Sequence, residues 1–285
     1  MKNKICIGIV LYKTPVNQFE KLVRSIIWQS CSDVEIVITL RANDNRKYIE
    51  HIGLAEKMLA GIGHIKLLGF DIGENVGFGA AHNILCQTAK NEACDLYIGA
   101  NPDGMFHHNA VEELIRKKNL SSSDSLFELI QFPQEHPKIY DCFTHETDWC
   151  SGACFAIEPN FFFSIGGFDE KIFMYCEDVD LSWRVRASGG KCLVIPTALF
   201  FHDLSSNRER YDLQIQMLCS GRYLGWKWRN QEFMRVMERE MVKLGLAIEM
   251  QLLPQSALGQ VPYAPEIIDK ICNFHPPFMF SRARW

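Results

Sequence analysis

Short, continuous apolar runs alternate with amphipathic segments through the first hundred residues. Runs that lack a two-residue alternation are typical of strands buried on both faces of a parallel sheet. Helical spacing of apolar residues follows the first run at residues 19–27, with Thr14 as a candidate cap and Pro15 at the first helical position. The pattern predicts a βαβ start and an α/β fold with a mostly parallel sheet. The apolar runs cover residues 5–12, 34–40, 65–70 and 95–100.

The pattern continues with mixed elements and then becomes helical. From about Arg208, long helical patterns replace the strands, and a proline-punctuated aromatic tail follows. We therefore expect one domain over residues 1–206, divided at 104/105, and a helical extension over residues 207–285. Further helices are expected at residues 49–59, 79–90 and 110–117 and from Pro159, and strands at residues 127–132, 149–157, 192–195 and 198–201.

Composition narrows the class of protein. With 285 residues, 47% of them hydrophobic, the chain can bury one large core, and a net charge of −4 argues against nucleic acid as the main partner. The eleven cysteines are scattered and none forms a C-x-x-C pair, which favours a reduced cytoplasmic protein without a structural zinc. No run of eighteen apolar residues and no standard signal sequence occurs, so we expect no membrane span.

The stretch from Gly166 to Gly190 combines an aromatic run with an acid cluster. Glu177, Asp178 and Asp180 open a helical pattern that Gly189 and Gly190 are expected to end. One interpretation is a capped helix whose acidic first turn faces water. The apolar run at residues 172–176 favours another, in which the carboxylates lie in a partly desolvated pocket and one serves as a general base.

Two strand ends carry candidate metal ligands. Asp103 lies in Asn101-Pro102-Asp103-Gly104, directly after a buried strand, where open α/β sheets bind ligands. Its carboxylate suits a divalent cation. The alternative is a simple β-turn, since Pro-Asp-Gly is a common turn sequence. His202 closes a later strand in the same way, but a lone histidine is more often structural.

Two further segments leave alternatives open. The glycine-rich turn and helix at residues 71–90 present backbone N–H groups that suit a phosphate, yet they lack the full dinucleotide and P-loop patterns. The segment GRYLGWKWRN, residues 221–230, interleaves basic and aromatic residues. It fits either a surface at lipid headgroups or a helix packed on the domain with basic side chains reaching solvent.

Several of these pieces follow the order found in one family. They are NVGFGAAHN (75–83), ANPDG (100–104), DWCSGACFAI (148–157), GGFDEKIFMYCEDVDLSWRV (166–185) and the strand end at His202. Over roughly its first two hundred residues the chain resembles the inverting family two glycosyltransferases, most closely bacterial rhamnosyltransferases of polysaccharide and O-antigen assembly. The resemblance implies the GT-A fold, a Rossmann-like nucleotide-diphospho-sugar transferase fold.

The resemblance also implies residue roles on the donor side. The donor would be dTDP-β-L-rhamnose, and Asp103 and His202 would hold Mn²⁺ or Mg²⁺ against its diphosphate. The family usually has an acid directly after the second strand. Here either Asp44 does that work from a shifted loop or the base is recognised differently. The implied nucleotide-binding residues are Tyr12, Asp44, Asn75, Gly77, Asn101 and Asp103.

On the acceptor side, the resemblance implies that Asp178, beside Glu177, is the catalytic base. The acceptor would be a lipid-linked or growing saccharide, such as one carried on a polyprenyl diphosphate, with peripheral contact at the inner membrane surface. Another nucleotide sugar as donor, with galactofuranose or a hexose, and a non-catalytic GT-A module that binds nucleotide sugar are the alternatives. The implied substrate residues are Asp148, Trp149, Gly152 and Arg184.

Overall fold

The buried apolar runs form a single mixed sheet. The structure is a computed structural model that describes residues 3–31, 33–121, 124–202, 211–246, 253, 259–275 and 278–284. Within these ranges eight strands pair in the order β3-β2-β1-β4-β7-β6-β8-β5. The strands are β1 (Lys4–Leu11), β2 (Glu35–Ala42), β3 (Ile65–Ile72), β4 (Leu96–Ala100), β5 (Gly104–Phe106), β6 (Ser125–Phe132), β7 (Cys154–Ile157) and β8 (Lys191–His202).

Strand direction brings distant loops to one edge of this sheet. The strands β3, β2, β1 and β4 are parallel, and β6 is parallel to β8. Only β7 runs antiparallel between β4 and β6, and β5 pairs antiparallel with β8 at the border. The residues that precede β7 therefore lie at the edge where β4, β6 and β8 end. This edge is where an open α/β sheet binds its ligands.

Helices cover both faces of the sheet, and the apolar core is divided between those faces. One buried cluster joins β1 and β2 to α1 and α4, and a second joins α3 and α6 to the other face. The helices are α1 (Val16–Ile27), α2 (Ile49–Leu59), α3 (Phe78–Asn91), α4 (Ala110–Leu120), α5 (Pro159–Ser164), α6 (Glu177–Ala187), α7 (Tyr211–Lys227), α8 (Gln231–Lys243) and α9 (Pro265–Ile271).

Local details differ from the sequence prediction at three places. The predicted pieces at 192–195 and 198–201 are one strand, β8, whose pairing with β6 shifts between Ile195 and Leu199 because Pro196 cannot donate a ladder hydrogen bond. The strand predicted at 149–157 begins only at Cys154. Helix α1 begins after Pro15, and the Thr14 hydroxyl accepts the Tyr12 N–H instead of capping the helix.

The C-terminal helices share a core with the acid-bearing helix α6. The Trp183 ring packs edge-on against Trp228 at 5.4 Å between centroids and against Phe274 at 4.8 Å. Residues of α7, α8 and α9 complete this cluster. The predicted boundary at residue 206/207 lies outside the described residues. The back of α6 is thus supported by the region predicted as a helical extension.

Residues 221–228 of the segment 221–230 are buried. This burial decides between a surface at lipid headgroups and a helix packed on the domain. Trp228 is fully buried, and Lys227 is buried in ion pairs with Asp169 and Asp180. Arg222 pairs with Glu238. The interpretation as a headgroup-facing surface was wrong for this segment, because its aromatic side chains, Arg222 and Lys227 are buried, and the exposed Arg229 donates to the Val261 carbonyl at 2.7 Å. No helix in the described ranges combines the length and the apolar character needed to cross a bilayer.

Candidate active site

The edge of the sheet gathers the predicted metal ligands and the loop before β7. The N–H of Asn101, just after β4, donates to the Ala153 carbonyl at 3.0 Å. Gly104 at the start of β5 pairs with His202 at the end of β8. This pairing places the Asp103 carboxylate 3.4 Å from the His202 Nε2 atom. Two residues a hundred positions apart thus form the pair that the sequence predicts.

Hydrogen bonds orient the His202 ring. The Gln131 side-chain carbonyl lies 2.9 Å from Nδ1 of His202, and the Asn101 amide nitrogen lies 3.3 Å from its Nε2. When Nδ1–H donates to Gln131, the lone pair of Nε2 can accept the Asn101 amide N–H or bind a cation beside Asp103. Neutral imidazole nitrogen and carboxylate oxygen together suit Mn²⁺ or Mg²⁺, and a second hydrogen bond on the ring is the usual support of a metal-binding histidine. Within the described residues no third histidine, cysteine or acid joins the pair.

Gln131 connects this pair to a buried polar chain. Its amide nitrogen donates to the Ser151 hydroxyl at 3.0 Å, and the Ser151 N–H donates to Glu128 at 2.8 Å. Glu128 in turn forms an ion pair with Lys138, and both side chains are buried. Since buried polar groups are costly unless they are paired, this continuous chain fixes the loop before β7 relative to His202.

Asp178 is attached to the same loop. Its Oδ2 accepts the Gly152 N–H at 3.0 Å, and its Oδ1 accepts the Val179 N–H at 2.8 Å. Tyr175 and Cys176, just before α6, both adopt left-handed backbone angles with φ of 67° and 68°. Successive non-glycine residues in this region are strained, and such strain clusters at functional sites. The turn delivers the carboxylate to the loop that also contacts Asn101.

A cavity of about 290 Å³ lies in front of Asp178. Trp149, which is 7% exposed, and Glu177, which is 6% exposed, both border it. The indole N–H of Trp149 and the Oε2 of Glu177 have no hydrogen-bond partner among the described residues. The Lys138 ammonium lies 4.2 Å from the Trp149 ring centroid. The remaining lining residues are His136, Pro137, Ser151, Tyr175, Cys176, Val179, Met217, Phe278, Met279, Phe280, Ser281, Arg282 and Ala283.

The two neighbouring carboxyls differ in their ionisation. Burial, and then the charge of Asp178, raises the pKa of Glu177 well above its usual range. Burial also raises the pKa of Asp178, but the Gly152 and Val179 N–H groups oppose that rise. The first proton to leave the pair therefore leaves Asp178, whose charge is stabilised by two backbone donors, while Glu177 remains protonated. A desolvated carboxylate of this kind can act as a general base.

The predicted nucleotide-side residues are held by a residue that sequence reasoning missed. The buried Asn43 amide donates to the Asn75 side chain at 2.9 Å and to the Gly77 carbonyl at 3.2 Å. Gly77 has φ of 89°, and a Cβ there would lie 2.2 Å from the Phe173 carbonyl oxygen, so only glycine fits. The one available signal was a polar residue directly after a buried strand.

Asp44 and Tyr12 lie in the neighbouring loops. Asp44 accepts hydrogen bonds from the Lys13 N–H at 3.0 Å and the Tyr48 hydroxyl at 2.9 Å, so its carboxylate already holds its own loop. Tyr12 follows β1, is 44% exposed and carries Lys13 over its ring. Because β1 and β4 are neighbours in the sheet, Tyr12 lies at the same edge as Asn101.

Two predicted substrate residues lie away from the cavity. Arg184 donates to Asp180 at 2.9 Å and to the Ile165 carbonyl at 2.7 Å, and it borders a different depression. Asp148 pairs with Arg186 at 3.5 Å. Because both side chains are engaged elsewhere, neither belongs to the lining of the cavity before Asp178. Gly152 contributes through its backbone and Trp149 through its ring.

Solved structures share this architecture. The structure of GalNAc-T7 with UDP, GalNAc and Mn²⁺ superposes with a TM-score of 0.67 at 17% identity, over 90% of this chain and 53% of that chain. The chain has the GT-A fold. A second GT-A neighbour, TarS of S. aureus, gives a TM-score of 0.56 at 10% identity, over 87% of this chain and 46% of that one. The fold that the resemblance implies is thus confirmed.

Sequence relatives match over shorter segments. An N-acetylglucosaminyl-diphospho-decaprenol L-rhamnosyltransferase of Mycobacterium tuberculosis (strain H37Rv) is 34% identical over 89 residues, which is 28% of this chain and 29% of the relative. Rhamnosyltransferase WbbL of Escherichia coli (strain K12) is 36% identical over 55 residues, 19% of this chain and 21% of the relative. No family model matches the chain. The predicted resemblance to bacterial rhamnosyltransferases is confirmed over these segments, which span less than a third of each relative.

Proposed function

We propose that this GT-A protein is an inverting glycosyltransferase that moves L-rhamnose from dTDP-β-L-rhamnose to a hydroxyl of a lipid-linked or growing cell-surface saccharide. The observation that carries the proposal is the position of Asp178. Its carboxylate borders the cavity and accepts a hydrogen bond from the Gly152 N–H, while the carbonyl of the adjacent Ala153 accepts one from the Asn101 N–H at the metal side. The proposed base and the residue beside the proposed metal ligands therefore contact the same loop, the one before β7.

Asp178 would act as the base. Its carboxylate takes the proton of an acceptor hydroxyl while that oxygen forms a bond to the anomeric carbon of the donor. The bond from that carbon to the diphosphate breaks, and the electron pair leaves with the diphosphate. Attack from the face opposite the leaving group converts a β-linked donor into an α-L-rhamnoside. The raised pKa of Asp178 suits this role, because a base is most effective when its pKa approaches the working pH.

Asp103 and His202 would hold a divalent cation on the donor side, with Asn101 beside them. When bound, Mn²⁺ or Mg²⁺ would neutralise charge that develops on the leaving diphosphate. Asn75 and Gly77, held by Asn43, would line the nucleotide. Gln131 keeps the His202 ring in the orientation that leaves Nε2 towards Asp103. The mixed oxygen and nitrogen donor set fits such a cation.

The acceptor would enter the cavity before Asp178. The Trp149 ring offers an apolar face for a sugar, and its unpaired N–H, together with the unpaired Glu177 oxygen, offers polar contacts. The name of the mycobacterial relative supports N-acetylglucosamine on a polyprenyl diphosphate as the acceptor class. A lipid-linked acceptor would bring the protein to the inner surface of the membrane.

A donor panel tests this function. The protein is titrated calorimetrically with dTDP-rhamnose, UDP-galactofuranose and UDP-hexoses, each with Mn²⁺ and again with a chelator. The product formed with an N-acetylglucosaminyl diphospholipid is analysed by NMR. We expect Mn²⁺-dependent binding of dTDP-rhamnose and an α-linked product. Tighter binding of a UDP sugar would show that this sugar, and not dTDP-rhamnose, is the donor. A product with retained configuration would exclude the inverting mechanism.

A further inference from the structure

One wall of the acceptor cavity comes from the far end of the described chain. Residues 278–284, here called the C-terminal wall, pair antiparallel with residues 137–139. The Ile139 N–H donates to the Arg282 carbonyl at 2.9 Å, and the Arg284 N–H donates to the Pro137 carbonyl at 2.7 Å. The Arg284 side chain forms an ion pair with Glu135. These bonds hold the wall as a fixed part of the site.

The cavity has acids on one wall and cations on the other. Glu177 and Asp178 border it from α6, whereas Arg282 borders it from the C-terminal wall and Lys138 from the segment 137–139 that pairs with that wall. The charge of Lys138 is already balanced by Glu128. Arg282 differs, because its side chain is exposed and forms no ion pair within the described residues. The C-terminal wall thus contributes to the cavity lining an arginine whose charge no carboxylate balances within the described residues.

We propose that Arg282 binds the phosphate oxygens of a sugar diphosphate acceptor, so that the C-terminal wall forms an anion subsite. This inference rests on the proposed transfer to a lipid-linked sugar. An acceptor with a diphosphate on one end would be repelled by the Asp178 carboxylate and attracted to Arg282. The guanidinium presents paired N–H donors that match phosphate oxygens. The electrostatic field between Arg282 and Asp178 would therefore orient the acceptor with its uncharged hydroxyl end towards the base.

Paired acceptors test the subsite directly. Calorimetry compares N-acetylglucosaminyl diphosphate carrying a short isoprenyl chain with an uncharged alkyl N-acetylglucosaminide, using the wild type, Arg282→Gln and Arg282→Glu. Loss of one charge-assisted hydrogen bond should weaken binding of the diphosphate acceptor about tenfold, and charge reversal should weaken it further. Binding of the uncharged acceptor should not change. Arg235→Gln, an exposed arginine on α8, is the matched control and should bind both like the wild type.

Each outcome of these binding measurements either supports or overturns the anion subsite, and none of them requires sugar transfer. Equal losses for both acceptors, unchanged binding of the diphosphate acceptor, or no binding of it by the wild type would overturn the subsite. Weaker dTDP-rhamnose binding in Arg282→Gln, with acceptor binding intact, would assign the arginine to the donor and overturn it as well. Selective loss for the diphosphate acceptor would support the subsite even if no sugar were transferred, a result that would count only against the proposed function.

Discussion

Asp178 and Asp180 lie two residues apart on α6 and meet opposite surroundings. Asp178 faces the cavity and is held by two backbone N–H groups. Asp180, 0% exposed, accepts hydrogen bonds from Arg184 at 2.9 Å and the Trp228 indole at 3.0 Å and pairs with Lys227 at 2.7 Å. One turn of helix thus carries one carboxylate surrounded by cations and one supported mainly by the backbone.

The two environments move the pKa values in opposite directions. Burial alone would raise the pKa of Asp180, but the charges of Arg184 and Lys227 outweigh it and lower the pKa. At Asp178 burial outweighs the backbone donors, and the pKa is raised. Arg184 on α6 and Lys227 on α7 thus stabilise the junction of the two helices through Asp180, whereas the cavity side is left with a carboxylate that can accept a proton.

Replacing Asp180 should have the largest effect on stability. Asp180→Asn leaves Arg184 buried without its carboxylate and Lys227 with Asp169 as its remaining partner, and breaking a buried pair in this way costs about 3–5 kcal/mol. Urea unfolding at neutral pH measures the loss. Glu232→Gln, an exposed acid on α8, should change the free energy of unfolding by less than about 0.5 kcal/mol. A loss below about 1 kcal/mol for Asp180→Asn would contradict the comparison.

The stability that Asp180 contributes through Arg184 and Lys227 depends on pH. The folded-state pKa of Asp180 is depressed, so its contribution to stability is present above the unfolded-state pKa. It is lost as the pH falls through the folded-state pKa. In Asp180→Asn that part of the acid sensitivity should disappear, and unfolding curves measured at descending pH would show a smaller decline than in the wild type.

On the metal side, Gln131 should act through His202. Gln131→Leu removes the partner of Nδ1, frees the ring to turn, and should weaken Mn²⁺ binding about 10–100-fold, or roughly 1.4–2.7 kcal/mol. Electron paramagnetic resonance of Mn²⁺ in the presence of dTDP measures the affinity. Gln134→Leu makes the same change at an exposed position nearby and should bind Mn²⁺ normally. Equal Mn²⁺ affinity in both variants would show that Gln131 does not position His202 for metal binding.

The smallest expected effect is that of Glu177→Gln. Because the pKa of Glu177 is raised well above its usual range, its uncharged form is favoured in the folded protein, and an amide of the same shape should leave the free energy of unfolding at neutral pH equal or somewhat higher. A raised folded-state pKa gives stability that is lost as the pH rises through it. The variant should therefore lose less stability than the wild type as the pH rises above the unfolded-state pKa. A large loss at neutral pH would show that Glu177 is ionised.

The fold followed from local patterns, whereas the roles of the candidate site residues came from the family resemblance and stay predictions. The apolar runs predicted β1, β2 and β4, because strands buried on both faces need continuous apolar residues. The strand end at Asp103 and the acid turn at Asp178 could be placed from motif order. The structure then brought Asp103 to His202 and tied Asp178 to the loop before β7.

What escaped prediction depends on pairing between distant residues. Asn43 is marked only by its place after a buried strand, and nothing local marks Gln131 as a support or shows that the C-terminal wall returns to residues 137–139. Arg184 was misassigned although Asp180 lies one helical turn before it, a spacing that favours an ion pair. Interleaved basic and aromatic residues at 221–230 have the same local pattern whether they are packed or facing lipid.

The most direct test of the account measures Asp178→Asn in two ways at once. With dTDP-rhamnose, Mn²⁺ and a diphospholipid acceptor, kcat should fall about 10²–10⁴-fold, the usual contribution of a general base. The free energy of unfolding should stay equal or rise, since the raised pKa means that the ionised group costs stability near neutral pH. Asp269→Asn, an exposed acid on α9, should keep normal turnover. Turnover of Asp178→Asn close to that of the wild type would contradict the account.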